Sequence, residues 1–300
     1  MNNFGVSISV KQCRSFGFSS TECLEWLIAE GGFKRFRLMS YWDELEPTPG
    51  EYDFKELDKQ IKIITEYKGI VTLCLGARQP RWPENHWPDW AWNLPKADRS
   101  RALLRFLKKV VTHYKHSTVI VSYQLENEAL LKEFGLRPEV DRKRLRNEYE
   151  LIKSIDPSKA VAMSTSTSWG IPLRQPIGDA VGFSYYQIVY NNKKSAYTTA
   201  FHKPWLHKFR AFLIKFILGR NSFIHELQLE PWGPKNIWDM SHNEQMKSMS
   251  LKQITHNIQL AYKTKLTPID AWGGEWWYWS YKKYGNKKVL DTVLKAINQH

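Results

Sequence analysis

The feature that most constrains this chain is a pattern met eight times along it: a short apolar run, a polar or aromatic loop, then a helix with one apolar face. Strands that alternate with helices call for a parallel sheet with helical crossovers. The runs are Val6 to Ser9, Phe36 to Met39, Ile70 to Leu75, Val119 to Leu125, Val161 to Ser164, Val181 to Tyr186, Phe223 to Leu227 and Pro268 to Trp272. Ser19 and Glu22 form a capping box for the first helix, which Gly31 and Gly32 end. Leu57, Ile61 and Ile64 share one face of the second, which opens at Asp53 and Glu56. Later helices carry Leu103, Leu107, Val110 and Tyr114, then Leu145 to Ile155, then Leu251, Ile254, Ile258 and Ala261, and last Leu290, Val293 and Ile297. The fifth crossover holds Pro172 and Pro176, so its helix is expected to shrink to a turn.

Eight such units in 300 residues predict an α/β fold, a closed (β/α)8 TIM barrel, as a single domain over 1–300. No Gly-rich phosphate fingerprint follows the first run, which argues against a dinucleotide fold. With 42% hydrophobic and 25% charged residues the composition is that of a globular protein. No apolar run reaches the roughly 20 residues of a membrane span. The first residues lack the basic and apolar regions of a signal peptide, so the expected location is the cytoplasm, or outside the cell if a leader has been removed. Cys13, Cys23 and Cys74 show no metal-like spacing and are expected to be reduced, buried thiols.

The 44 Lys and Arg against 30 Asp and Glu leave a formal charge of +14. Such a charge can attract nucleic acid, acidic glycans or anionic lipid. The basic residues are scattered over predicted helices, however, as a solvated outer surface would have them. Trp205 to Leu218 is both basic and apolar, like a membrane-surface helix, yet it stands where the sixth barrel helix belongs.

Position says more than number about the 14 tryptophans. Trp42, Trp82, Trp87, Trp90, Trp92, Trp169, Trp232, Trp238, Trp272, Trp276, Trp277 and Trp279 follow or end predicted strands. Only Trp26 and Trp205 fall on predicted helices. The cluster belongs to the C-terminal face of the barrel, where active sites of this fold lie. Indole rings there can stack on the C–H faces of sugars, or can pin long loops into a core of their own. Trp272 and Trp276 are the preferred sugar contacts, with Trp42 beside them.

Two of the eight runs end in acids. The fourth closes with Gln124-Leu125-Glu126-Asn127-Glu128, and the seventh continues through His225-Glu226-Leu227-Gln228-Leu229-Glu230. Polar groups are costly to place at such positions unless they work. Glycoside hydrolysis in most families needs two carboxyl groups flanking one bond, about 5 to 5.5 Å apart when configuration is retained.

With the Asn127-Glu128 pair on the fourth strand and Ile-His-Glu-Leu at Glu226 on the seventh, the sequence resembles clan A of the glycoside hydrolases, which includes the family 5 cellulases and family 10 xylanases. The resemblance implies a retaining O-glycosyl hydrolase that needs no metal or other cofactor, with a carbohydrate as its partner. Glu128 would be the general acid/base and Glu226 the nucleophile. Asn127 would bind the sugar 2-hydroxyl, Arg37 would steady the nucleophile's charge, and Tyr185 or Tyr186 would donate a hydroxyl to it. Glu126 is a further expected substrate contact. Alternatives stand beside these. Glu126 and Glu230 can be the working acids, with Glu128 and Glu226 as their salt-bridge neighbours, Arg37 can pair with Asp43 or Glu44, and His225 can be packed in the strand or bind substrate. Gln124 is expected inside the barrel. Ala129 stands where the clan often has proline, and the loops after the third and seventh strands are unusual. Three rivals remain: a metal-dependent hydrolase, against which the dispersed histidines argue; a non-catalytic glycan binder; and a nucleic-acid protein resting on charge alone, which is not expected.

Overall fold

The structure, a computed structural model, describes residues 3–131, 134–166, 178–200 and 203–299. Eight parallel strands close into a barrel: β1 Phe4–Ile8, β2 Arg35–Met39, β3 Ile70–Leu75, β4 Ile120–Leu125, β5 Ala160–Thr165, β6 Ala180–Tyr185, β7 Asn221–Gln228 and β8 Ile269–Trp272. Each pairs with its sequence neighbours, and β8 closes on β1 through Phe4 opposite Ile269. All eight expected strands are present, to within about two residues at each end. The predicted (β/α)8 barrel is therefore the observed fold. Residues 167–177, with Trp169, Pro172 and Pro176, lie outside the described residues.

Alternation along the strands sorts the core into two shells. Phe36 and Leu38 of β2, or Leu73 and Leu75 of β3, point outward and pack under the helices in the main apolar core. The inward positions are unusually polar. Near the bottom, Arg35 Nε donates to Asp270 Oδ1 at 2.8 Å, and His225 Nδ1 lies 2.8 Å from Asp270 Oδ2. Burial pushes the His225 imidazole down to about 4. It is therefore neutral, and its Nδ1–H donates to the carboxylate. Gly182 faces this layer because a Cβ there would come within 2.6 Å of the His225 side chain. Of the two readings left open for His225, packing within the barrel is the one observed. Cys13, Cys23 and Cys74 are free and buried.

Several elements go beyond the predicted pattern. A short helix, Val10–Ser15, follows β1 and is capped by Ser9. An antiparallel hairpin, Ile188–Asn191 with Ala196–Thr199, follows β6. It is fastened to the barrel by Gln228, whose Oε1 accepts from the Gln187 and Ile188 amides while its Nε2 donates to the Ile188 carbonyl at 2.7 Å. Helix Gly274–Tyr284 starts directly after β8 and buries Trp276, Trp277 and Trp279. Trp42, Trp90 and Trp92 also lie on short helices, Trp42–Leu45 and Asp89–Trp92. The expectation that only Trp26 and Trp205 are helical is thus corrected. Four residues each are too few for Trp42–Leu45 and Asp89–Trp92 to show an amphipathic period, and in Gly274–Tyr284 the first seven residues are all buried.

Candidate active site

The ends of β4 and β7 face one another across a cleft of about 640 Å³ at the C-terminal mouth. Its walls include Glu84, Asn127, Glu128, Tyr186, Glu226, Glu230, Trp232 and Trp272. This is the size and place expected of a ligand site in this fold.

Backbone conformation decides which acid of the β4 terminus enters the cleft. Glu126 and Glu128 both adopt left-handed φ, 47° and 45°, which is uncommon for residues other than glycine. The chain therefore leaves strand alternation after Leu125. Glu126 turns away from the cleft and accepts the amides of Ala77 at 3.0 Å and Arg78 at 2.6 Å. Gly76 is required beside it, since a Cβ there would lie 2.7 Å from the Glu126 carboxyl. Glu126, expected near substrate, is instead a fully buried tie between the loops after β3 and β4.

Glu128 points into the cleft, where Ser184 Oγ donates to its Oε1 at 2.7 Å. Its amide is held by Ser164 Oγ at 2.9 Å. Burial, reinforced by the neighbouring Glu226 charge, pushes its carboxyl up to about 7. Part of its surface stays open to the cleft although protein surrounds it densely.

Glu226 is placed by a bulge in β7. Phe183 pairs with Ile224 but Ser184 pairs with Glu226, so His225 is the extra residue, and the following side chain is re-aimed. The carboxylate is then gripped on both oxygens. Tyr186 Oη donates to Oε1. Arg37 Nη1 and Nη2 donate to Oε2 at 3.3 and 3.4 Å. Arg37 is fully buried and also donates to Gln124 Oε1 at 2.8 Å, the His225 carbonyl at 2.9 Å and Asn127 Oδ1 at 3.3 Å. It makes no pair with Asp43 or Glu44, which bond Lys11 and Arg14 instead.

Asn127 is fixed by its carbonyl. Oδ1 accepts from Arg37, from Gln124 Nε2 at 3.0 Å and from Ser164 Oγ at 3.1 Å, leaving Nδ2 to face the cleft wall. There it donates to Glu84 Oε2 at 3.1 Å. Glu84 went unnoticed in the sequence. It is a third carboxyl of the cleft, pushed up to about 8 by burial, with the Glu226 and Glu128 charges adding to the shift. It sits in the loop after β3 at φ 67°, where no periodicity marks it.

Glu230 also lines the cleft, but its two oxygens are clasped by Arg81, with Nη2 to Oε2 at 2.9 Å. The same Nη2 donates to Glu275 Oε2 at 2.9 Å, and the guanidinium packs 3.9 Å from the Trp272 ring centre.

Several residues expected at the substrate lie elsewhere. Tyr185 points out of the barrel and packs 4.4 Å from the His207 ring, whereas Tyr186 reaches Glu226. Strand alternation separates the two, since Val181, Phe183 and Tyr185 share the outer side. Trp42 is buried against Phe106, with its Nε1 donating to Glu46. Trp276 is buried, with Nε1 donating to Gln245 Oε1 at 3.0 Å. Both rings serve the loop core rather than the cleft. Trp272 does line it, joined by Trp82, Phe134, Tyr190, Trp232 and Trp238. Trp232 stands edge-on to Tyr186, their ring centres 5.4 Å apart. No group of three or more His, Cys, Asp or Glu among the described residues could hold a metal ion.

A closed parallel (β/α)8 barrel is the fold that clan A glycoside hydrolases share. The comparisons with known proteins agree. Residues 27–161 match the model of glycoside hydrolase family 42, described as beta-galactosidase. A family 5 (subfamily 18) protein from Bifidobacterium longum subsp. infantis shares the fold at TM-score 0.67 and 12% identity, covering 100% of this chain and 80% of its own. Xylanase 10B from Thermotoga maritima superposes at TM-score 0.65 and 15% identity, over 99% of this chain and 95% of its own. An exo-beta-1,4-mannosidase from Opitutaceae bacterium strain TAV5 does so at TM-score 0.64 and 15% identity, over 100% and 59%. No curated protein matches by sequence.

Proposed function

We propose that the chain is a retaining glycoside hydrolase acting on a β-linked sugar by double displacement. The observation that carries this is the unequal treatment of two carboxyls in one cleft. Glu226 receives a hydroxyl and a guanidinium, the donors an anionic nucleophile needs. Glu128 receives one serine hydroxyl and a raised pKa, which suits a proton donor near neutrality.

In the first step Glu226 attacks the anomeric carbon while Glu128 gives its proton to the departing glycosidic oxygen, leaving a glycosyl ester on Glu226. In the second, Glu128, now ionised, takes a proton from water as that water attacks the anomeric carbon and releases the Glu226 carboxylate. Asn127 Nδ2, on the cleft wall, is the donor this reading assigns to the sugar beside the nucleophile. Trp272 and Trp232 offer apolar faces for the ring. The similar structure named for a mannosidase carries beta-1,4 in its name, and the matching family model is described as a beta-galactosidase. This favours a β-glycoside but no particular sugar.

The test is a panel of aryl β-glycosides and β-linked oligosaccharides assayed with wild type, Glu128→Gln and Glu226→Gln. Both variants should lose activity by orders of magnitude. Azide should rescue Glu226→Ala and Glu128→Ala as glycosyl azides of opposite anomeric configuration. Full activity of either Gln variant refutes its assigned role.

A further inference from the structure

Exposed apolar side chains are unevenly spread over this protein. Of eleven large hydrophobic residues that are exposed among the described residues, five lie on one helix, Pro204–Leu218: Trp205, Phe209, Phe212, Phe216 and Ile217. The helix does the work of a barrel helix with its other side. Leu206, His207, Arg210 and Ile214 are buried, and Ile214 packs on Val181 and Phe183 of β6. Pro204 starts it and Gly219, at φ 67°, ends it.

Trp205, Phe209, Phe212 and Phe216 follow at steps of four, three and four, so they form one row along the outward face. Phe216 is 78% exposed, and its ring stacks on Phe212 at 6.0 Å. Lys208 and Lys215, seven residues apart and both exposed, form a second row beside the first. Between Asp179 and Glu226 the chain has seven Lys and Arg and not one Asp or Glu. Exposed Lys193 and Lys194 at the hairpin turn and Lys203 at the helix start extend the basic field. A barrel helix normally turns a polar face to water, and a contiguous aromatic row left outside calls for a partner.

The geometry points to the surface of an anionic lipid bilayer as that partner, with this helix lying in the headgroup layer. Trp and Phe on one stripe and lysines alongside are what such a layer accommodates. The charge of +14 complements a negative leaflet. A second copy of the chain would set the same basic surface against itself, with no acid on the segment to neutralise it. No described helix is long and apolar enough to cross a membrane, and the attachment proposed is through the outer face of this one helix.

Sedimentation of the full chain with vesicles tests this, comparing phosphatidylcholine alone with mixed phosphatidylglycerol and phosphatidylcholine. The expected result is co-sedimentation with the anionic vesicles, weakened by salt. Phe209→Ser/Phe212→Ser/Phe216→Ser should abolish it without lowering the melting temperature. Lys208→Gln/Lys215→Gln should weaken it about 25-fold, taking roughly fivefold per surface cation, and this pair keeps the test open should the serine variant fold poorly. No binding to anionic vesicles, or binding indifferent to both variants, overturns the inference. So does a dimer in gel filtration that the serine variant converts to monomer, since the row would then be a subunit interface. None of these readouts depends on glycosidase activity.

Discussion

Glu128→Gln should make this protein more stable in alkali, and the size of the gain follows from the site. The carboxyl moves from an ordinary value of 4.5 to about 7 on folding. At about 1.4 kcal/mol per pKa unit, the full charging penalty is roughly 3 kcal/mol. Its sign is fixed by linkage. Below pH 4.5 both folded and unfolded chains hold the proton, and nothing is lost. As pH rises past 4.5 the unfolded chain releases its proton first, so stability falls until the folded carboxyl also ionises near 7, and the loss is then complete. Glutamine keeps the shape and cannot charge. Urea unfolding of wild type and Glu128→Gln at pH 5 and pH 8.5 should therefore show the variant's advantage growing by about 2 kcal/mol between the two, because part of the loss has already occurred at pH 5. An advantage independent of pH would refute the claim that burial and Glu226 hold this group protonated.

Four further outcomes are expected. Activity should fall as pH rises through about 7, because the Glu128 proton is then lost, and a pH profile of kcat/KM that stays level to pH 9 would contradict this. Tyr186→Phe removes the hydroxyl from Glu226 and should lower kcat/KM by about 10- to 100-fold, the worth of a hydrogen bond to a charged group, while the melting temperature barely moves. Arg81→Ala strands the Glu230 and Glu275 carboxylates in the interior and should cost about 3 to 5 kcal/mol in urea unfolding. Glu84→Ala leaves the Asn127 amide unpartnered and should cost about 1 to 3 kcal/mol; Glu84→Gln, which can still accept from that amide, should restore most of it.

The barrel was legible because its signals are local and repeated: apolar runs of strand length, Ser19 as a helix cap, Gly31 and Gly32 as a stop. The cleft was legible where a side chain's place follows from its strand. Arg37, Glu128 and Glu226 end up together because β2, β4 and β7 carry them to one mouth. Tyr185 and Tyr186 were left undecided, although the period of two along β6 contains the answer. Trp42 and Trp276 were drawn to the cleft by their sequence position after strands, yet each sits on a helix and is buried in the loop core, a contact that sequence position does not reveal. Glu84 had no local signal. Its place depends on a loop whose left-handed turns at Arg81 and Glu84 bring it under Asn127, and only the folded chain joins the two.

The tie made by Glu126 has a consequence for how such an enzyme can change. A carboxylate from the β4 terminus satisfies two amides of the loop after β3, and Gly76 of that loop leaves it the space. The two loops are thus one heritable unit. Transplanting either alone from a relative would leave the buried Glu126 carboxyl with Arg144 but without its two amide donors, or leave those amides unmet. Recombination that respects this boundary must move residues 76 to 78 and 126 to 128 together, and a library shuffled between them should yield few folded members.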